Sequence, residues 1–352
     1  MIDLHRKIEG NWVSHTPFVL KLEKGINYSL EDGKHHITSE HGHFDVLKKN
    51  NESMAGDICI VFPEQKTLQR LIRPQSTSNT ILLTERCDQA CVMCSQPPKN
   101  KVYDYFDLYK EALLLAPEHM TIGISGGEPT LHKENLFPFL VDIFKTRPDL
   151  KIHILSNAQH FKNEDIKFLK ILRDNVLWGI PIYSHLPEIH DEIVGKNGAF
   201  EGLLNGFNIL FQAGSQVELR TIILQQNYET FPQISNFISR HMPACETWAI
   251  MQLEDIGYAK MNWDHIFVDT SLKFSALSNA LSIATANNIN ARLYNFPKCT
   301  IPDEWQNLAC QSISDWKNKY LETCIECSEK KACCGFFDWY KTERGYKRIT
   351  AQ

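Results

Sequence analysis

Eleven cysteines are the residues of this 352-residue chain best suited to unusual chemistry. Cys59 and Cys245 stand alone. Cys87, Cys91 and Cys94 form one group, and Cys299, Cys310, Cys324, Cys327, Cys333 and Cys334 form another near the C-terminus. The count is odd, and the N-terminal stretch Met-Ile-Asp-Leu-His-Arg-Lys-Ile-Glu-Gly has no apolar signal core. Both facts favour metal over disulfides. No apolar run reaches the roughly 18 residues of a spanning helix. The chain therefore reads as cytoplasmic, away from a membrane. Thirty-seven basic against 42 acidic residues leave a net charge of −5, which argues against nucleic acid held on a broad cationic surface.

The first group reads Cys87-Asp-Gln-Ala-Cys91-Val-Met-Cys94. Thiolate is the soft ligand that iron–sulfur clusters require. Three thiolates on one short loop can hold three irons of a cubane and leave the fourth iron open. A structural zinc site would want a fourth ligand and paired two-residue spacings. Three ordinary buried cysteines are the other plain reading.

These thiols need a rigid frame. From residue 80 the pattern alternates: strands are expected at 80–84, 119–124, 151–155, 177–183, 216–224 and 247–253. Helices are expected between them, at 105–115, 135–145, 165–172, 199–213 and 231–240. Such alternation implies a parallel sheet with right-handed crossovers. Six β/α units suggest a partial (β/α)6 TIM-like barrel, with the active site on loops at the C-terminal ends of the strands. The first cysteine group follows the first strand. Residues 1–78 read as a small β-containing unit whose one clear strand is Asp57–Phe62, with a linker at 73–79. Residues 79–270 form the core. Residues 271–352 form a cysteine-rich unit that opens with a helix at 271–288 and a strand at 290–294.

Cys-x3-Cys-x2-Cys after the first strand of a β/α repeat resembles the radical S-adenosylmethionine (SAM) superfamily. The resemblance implies a [4Fe-4S] cluster with SAM on the open iron, reductive cleavage of SAM to a 5′-deoxyadenosyl radical, and an electron donor such as flavodoxin or ferredoxin. Met93 stands where the family usually has an aromatic residue. Ser125-Gly126-Gly127-Glu128-Pro129 resembles the family's Gly-Gly-Glu-Pro element, which meets the SAM amino group; glycine permits close backbone approach. Asn157, ending the third strand, and Ser184, ending the fourth, fall where the family presents polar groups to SAM. His190-Asp191 and Gly198-Ala-Phe200 resemble a family pattern in which a nearby basic residue holds the SAM carboxylate. Lys196 is one candidate for that role and Arg220 on the fifth strand is the alternative, although a strand arginine can equally be an ordinary ion pair. Met251 to Ala259, with Gly257, resembles the family's sixth-strand segment.

Cys324-Ile-Glu-Cys327 and Cys333 have the spacing that opens the auxiliary-cluster (SPASM or twitch) domains of radical SAM peptide-modifying enzymes. The resemblance implies a second, auxiliary [4Fe-4S] cluster. Cys299, after a strand, is the expected fourth ligand, with Cys310 and Cys334 as substitutes; a four-thiolate zinc knuckle is the alternative. Leu83-Thr-Glu-Arg-Cys87, Cys94-Ser-Gln-Pro-Pro98, Gln311 to Asn318 and the Cys-Cys-Gly-Phe-Phe end resemble the HxsC-type maturases of the His-Xaa-Ser system, from about residue 57 onward. That implies a peptide substrate with His-Xaa-Ser repeats and a companion radical SAM enzyme. Rival expectations are a radical SAM enzyme acting on a nucleoside or other small molecule, and a metal-bearing binding module without turnover.

Overall fold

The computed structural model describes residues 4–48, 52–100 and 104–351. The N-terminal region forms two four-stranded antiparallel sheets. One is ordered His5–Lys7, Thr67–Ile72, Ile58–Phe62, Phe18–Lys21; the other is ordered Glu9–Trp12, Gly42–Leu47, Lys34–Ser39, Tyr28–Glu31. Only one of these eight strands was legible in the sequence. The others were hidden because polar residues occupy inward positions. In Lys34–Ser39 the buried alternate residues are His35 and Ile37. Arg6 and Arg70 are also buried, held by Glu52 and Asp57.

Seven strands build the core sheet: β1 (Thr80–Thr84), β2 (Thr121–Gly126), β3 (Lys151–Leu155), β4 (Val176–Pro181), β5 (Gln216–Ile222), β6 (Thr247–Met251) and β7 (Ala291–Tyr294). They pair in sequential order and all in parallel. Sequential parallel pairing with one-handed crossovers puts the crossover helices that pack on the sheet on the same face. The sheet therefore curls into an open barrel with a helix-covered outside and an inner face. The residue pattern agrees. Ile152, Ile154, Trp178, Leu219, Trp248 and Leu293 are at most 1% exposed and face the helices. His153, Leu155, Arg220, Met251, Arg292 and Tyr294 alternate with them, remain half-buried, and face inward.

The helices are α1 (Phe106–Leu114), α2 (Lys133–Thr146), α3 (Ile166–Leu172), α4 (Pro187–Val194), α5 (Ala199–Gln212), α6 (Phe231–His241), α7 (Gly257–Ile266) and α8 (Ser275–Ala286). The sheet differs from the six-unit expectation by one strand. β7 pairs with β6 through Trp248↔Ala291 to Met251↔Tyr294, so the sheet-bearing core continues past residue 270. After β7 the chain forms short 3-10 turns and a two-stranded ladder, Asn318–Lys319 with Phe336–Phe337. This region is tied back to the linker by Asp315, which receives Arg73 and the Ser76 hydroxyl. It is tied to the loop after β6 by Lys317, which donates to Glu254 at 3.3 Å.

His35 is fully buried, and its Nδ1 lies 2.9 Å from the Tyr28 hydroxyl, which also accepts the Met54 N–H. Burial pushes its pKa down to about 4. The unfolded ring titrates near 6.5, so between these values the unfolded chain binds the extra proton. The ring's contribution is present above about 6.5 and is lost as pH falls through about 4. In urea denaturation, the wild type should lose more stability between pH 7 and pH 5 than His35→Gln does.

Candidate functional site

The first cysteine loop leaves β1 at the C-terminal end of the sheet. Cys87, Cys91 and Cys94 are free, partly exposed thiols, close enough that the charge of one raises the pKa of another. Burial is the larger cause, pushing Cys87 to about 11 and Cys91 to about 12. Met93 is 4% exposed, in an apolar cluster with Tyr183, Val194 and Leu253.

The loop backbone is clamped on several sides. Ala90 N donates to Val194 O and Val92 N to Ile193 O, at the end of α4. Asn262 Nδ2 donates to Val92 O at 2.8 Å. Tyr258 N donates to Cys94 O, and a Cβ on Gly257 would lie 2.3 Å from that same oxygen. On the β2 side, Gly127 N donates to Thr84 O and Glu128 N to Arg86 O. A Cβ on Gly127 would stand 2.0 Å from Arg86 O. The glycines expected to admit a ligand are thus first required by the loop itself.

Most of the polar residues expected beside SAM also make bonds within this frame. Glu128 is 1% exposed, and its carboxylate accepts the Thr130 N–H, the Thr130 and Ser156 hydroxyls and the Asn157 N–H, at 2.6–2.8 Å. Burial raises its pKa against those four donors. Asn157 Nδ2 donates to Asp88 Oδ1 at 2.9 Å. Ser184 is fully buried, and its hydroxyl accepts the Leu186 N–H. Asp191 accepts the Gly198 and Phe200 N–H groups at the start of α5. Arg220 donates to Glu218 Oε1 at 2.5 Å and to Met251 Sδ at 3.2 Å, so an ion pair on its own strand engages it.

Sequence reasoning missed Asp88, which sits inside the cysteine loop. Lys196 binds Asp88 and also Gln159 Oε1, and His160 Nε2 lies 3.2 Å from its carboxylate. Burial alone would raise the Asp88 carboxyl. His160, Lys196 and Asn157 outweigh that and hold it well below the usual carboxylate range. Lys196, a candidate SAM partner by resemblance, thus also braces the loop.

The C-terminal cysteines converge. Cys299, Cys324, Cys327 and Cys333 line one pocket, with Lys298, Tyr320 and Lys330 around them. Cys299 is pushed up to about 12 by burial and by the neighbouring thiols. Cys333 is held low by its bond with Cys334, helped by the Lys298 and Gly335 N–H groups. Cys310 lies elsewhere: its N–H donates to Leu293 O at the edge of β7. Cys334 is buried behind Cys333. Among the described residues, no three His, Cys, Asp or Glu side chains are gathered as a single ion would need. Thiols are the soft donors that an iron–sulfur cluster takes, and both groups supply them.

Residues 81–238 match the model of the radical SAM superfamily. That stretch, residues 81–238, carries the domain of a superfamily whose enzymes work with SAM and a [4Fe-4S] cluster. It is 25% identical over 160 residues to the antilisterial bacteriocin subtilosin biosynthesis protein AlbA of Bacillus subtilis (strain 168), covering 44% of this chain and 35% of the relative. It is 27% identical over 161 residues to Fe-coproporphyrin III synthase of Methanosarcina barkeri (strain Fusaro / DSM 804), covering 44% and 39%. The chain thus spans less than two-fifths of the length of these curated relatives. Among solved structures, Streptococcus suis SuiB bound to S-adenosylmethionine is similar at 16% identity and a TM-score of 0.49, over 61% of this chain and 49% of that one.

Gly127→Ala should push β2 off the cysteine loop. We expect a loss of about 2 kcal/mol or more in urea denaturation, as for other overpacked sites.

Proposed function

We propose that this radical SAM protein is a cytoplasmic peptide maturase whose substrate carries His-Xaa-Ser repeats. The observation that carries the reading is the pairing of two thiol sites in one chain: three cysteines on a clamped loop at the strand ends, and four around a separate cavity. Relatedness to a bacteriocin biosynthesis protein supports a peptide substrate. No helix among the described residues is long and apolar enough to cross a membrane, and the mildly acidic charge suits a peptide better than a nucleic acid. A companion radical SAM enzyme and a flavodoxin or ferredoxin donor belong to the same proposal.

In this reading Cys87, Cys91 and Cys94 hold the SAM cluster. When bound, the cluster and SAM supply one-electron cleavage to methionine and a 5′-deoxyadenosyl radical. The chain's own work is to position and to exclude water. Asp88 and its partners keep the loop in place. Backbone at Gly126 and Gly127 lines the mouth beside it. Glu128, Asn157 and Ser184 act by fixing those backbones. Arg220 stands on the inner wall with Glu218. Cys299, Cys324, Cys327 and Cys333 hold the auxiliary [4Fe-4S] cluster.

Similarity to a porphyrin synthase favours, as a second reading, a small-molecule substrate. Mass spectrometry of a co-expressed His-Xaa-Ser peptide separates the two: a mass change supports the peptide, and an unchanged peptide removes it. With reductant and SAM, Cys91→Ala should form no 5′-deoxyadenosine. Cys327→Ala should still form it but leave the peptide unmodified; full modification by that variant would exclude the auxiliary site from the reaction.

A further inference from the structure

One wall of the C-terminal thiol pocket comes from outside the cysteine-bearing segments. Ile349, Thr350 and Ala351 line the pocket together with the four thiols. Within 347–351 only Ile349 is half-buried; Lys347, Arg348, Thr350 and Ala351 are exposed. The segment is fixed at its root by the core. The Lys347 N–H donates to Asp269 Oδ2 at 2.9 Å, and the Arg348 N–H donates to Ser271 Oγ at 3.0 Å. Asp269 Oδ1 in turn accepts the Ser271 N–H at 3.0 Å and its hydroxyl at 2.5 Å, so one carboxylate organises both acceptors. Just before them Tyr346 is 6% exposed. Its ring lies 5.7 Å from Phe267, at the end of α7, and 6.3 Å from Phe336. Trp263 of α7 adds a bond from Nε1 to Arg344 O at 2.9 Å. Beyond Arg348 this changes: among the described residues, Ile349, Thr350 and Ala351 make no hydrogen bond. The root is bonded and the far end is held by packing alone.

We propose that residues 347–351 are a strap beside the C-terminal thiols, latched at Asp269 and Ser271, and that metal enters and leaves this site past it. Apolar groups around a metal site set its access to solvent, and Ile349 supplies that group here. Exposed segments with few bonds open at low free-energy cost. Opening this one gives up the packing of Ile349 and, at most, two N–H bonds. The proposal takes from the proposed function only that the four thiols hold a metal group. It applies equally to a cubane and to a single zinc.

The test uses the full chain with Cys91→Ala, so that metal is held at the C-terminal thiols alone. The metal-loaded protein is challenged anaerobically with excess EDTA, and release of iron and of zinc is followed together. Adding Ser271→Ala, which removes the Arg348 acceptor, should speed release about fivefold, the opening gained when roughly one hydrogen bond is lost. Ile349→Ser should speed it by at least as much, and Ile349→Leu should keep the slow rate. An unchanged rate in both Ser271→Ala and Ile349→Ser overturns the strap, and leaves the auxiliary cluster standing if the metal is iron. Faster release of zinc in place of iron supports the strap and removes the auxiliary cluster from the proposed function.

Discussion

The carboxylate of Glu128 is the point on which the site's geometry hangs. It is buried at the end of β2, and it fastens the start of the following turn to the end of β3 through four short hydrogen bonds. A buried carboxylate is stable only when its acceptor sites are filled, so this arrangement fixes where Ser156 and Asn157 must lie. Asn157 then reaches across to Asp88 in the cysteine loop. The backbone just before Glu128 is bonded to Thr84 and Arg86. One carboxylate thus sets the distance between the first three strand ends, and the three thiols inherit that distance.

The core was legible because its chemistry coincides with its periodicity. Apolar runs at regular intervals gave the parallel strands, and the cysteine loop fell at the end of the first one. β7 was recognised as a strand but assigned to the C-terminal unit, because nothing local says that Ala291–Tyr294 pairs with β6. Long-range pairing has no signature in a four-residue strand. The N-terminal sheets were hidden for a different reason: Arg6, His35 and Arg70 sit inside and break the polar–apolar alternation that marks a strand.

Side-chain roles were less legible than positions. Glu128, Asn157 and Ser184 do lie at the strand ends, as the spacing indicated. Type and spacing cannot say whether an oxygen faces a ligand or a neighbouring N–H. Glu128 meets buried donors on Thr130, Ser156 and Asn157, Asn157 meets Asp88, and Ser184 meets the Leu186 N–H. The C-terminal thiols show the converse. Cys299 lies 25 residues before Cys324 in the sequence, yet it lines the same cavity. Cys310 is nearer in sequence to that group and was drawn away by the edge of β7.

In the proposed reading the chain carries two iron–sulfur sites, three thiols on a braced loop and four around a separate pocket. Iron and acid-labile sulfide per chain after anaerobic reconstitution measure this directly. Two cubanes require about eight of each, with about four left in Cys299→Ala. A wild-type value near four, with zinc retained by the C-terminal thiols, would contradict it.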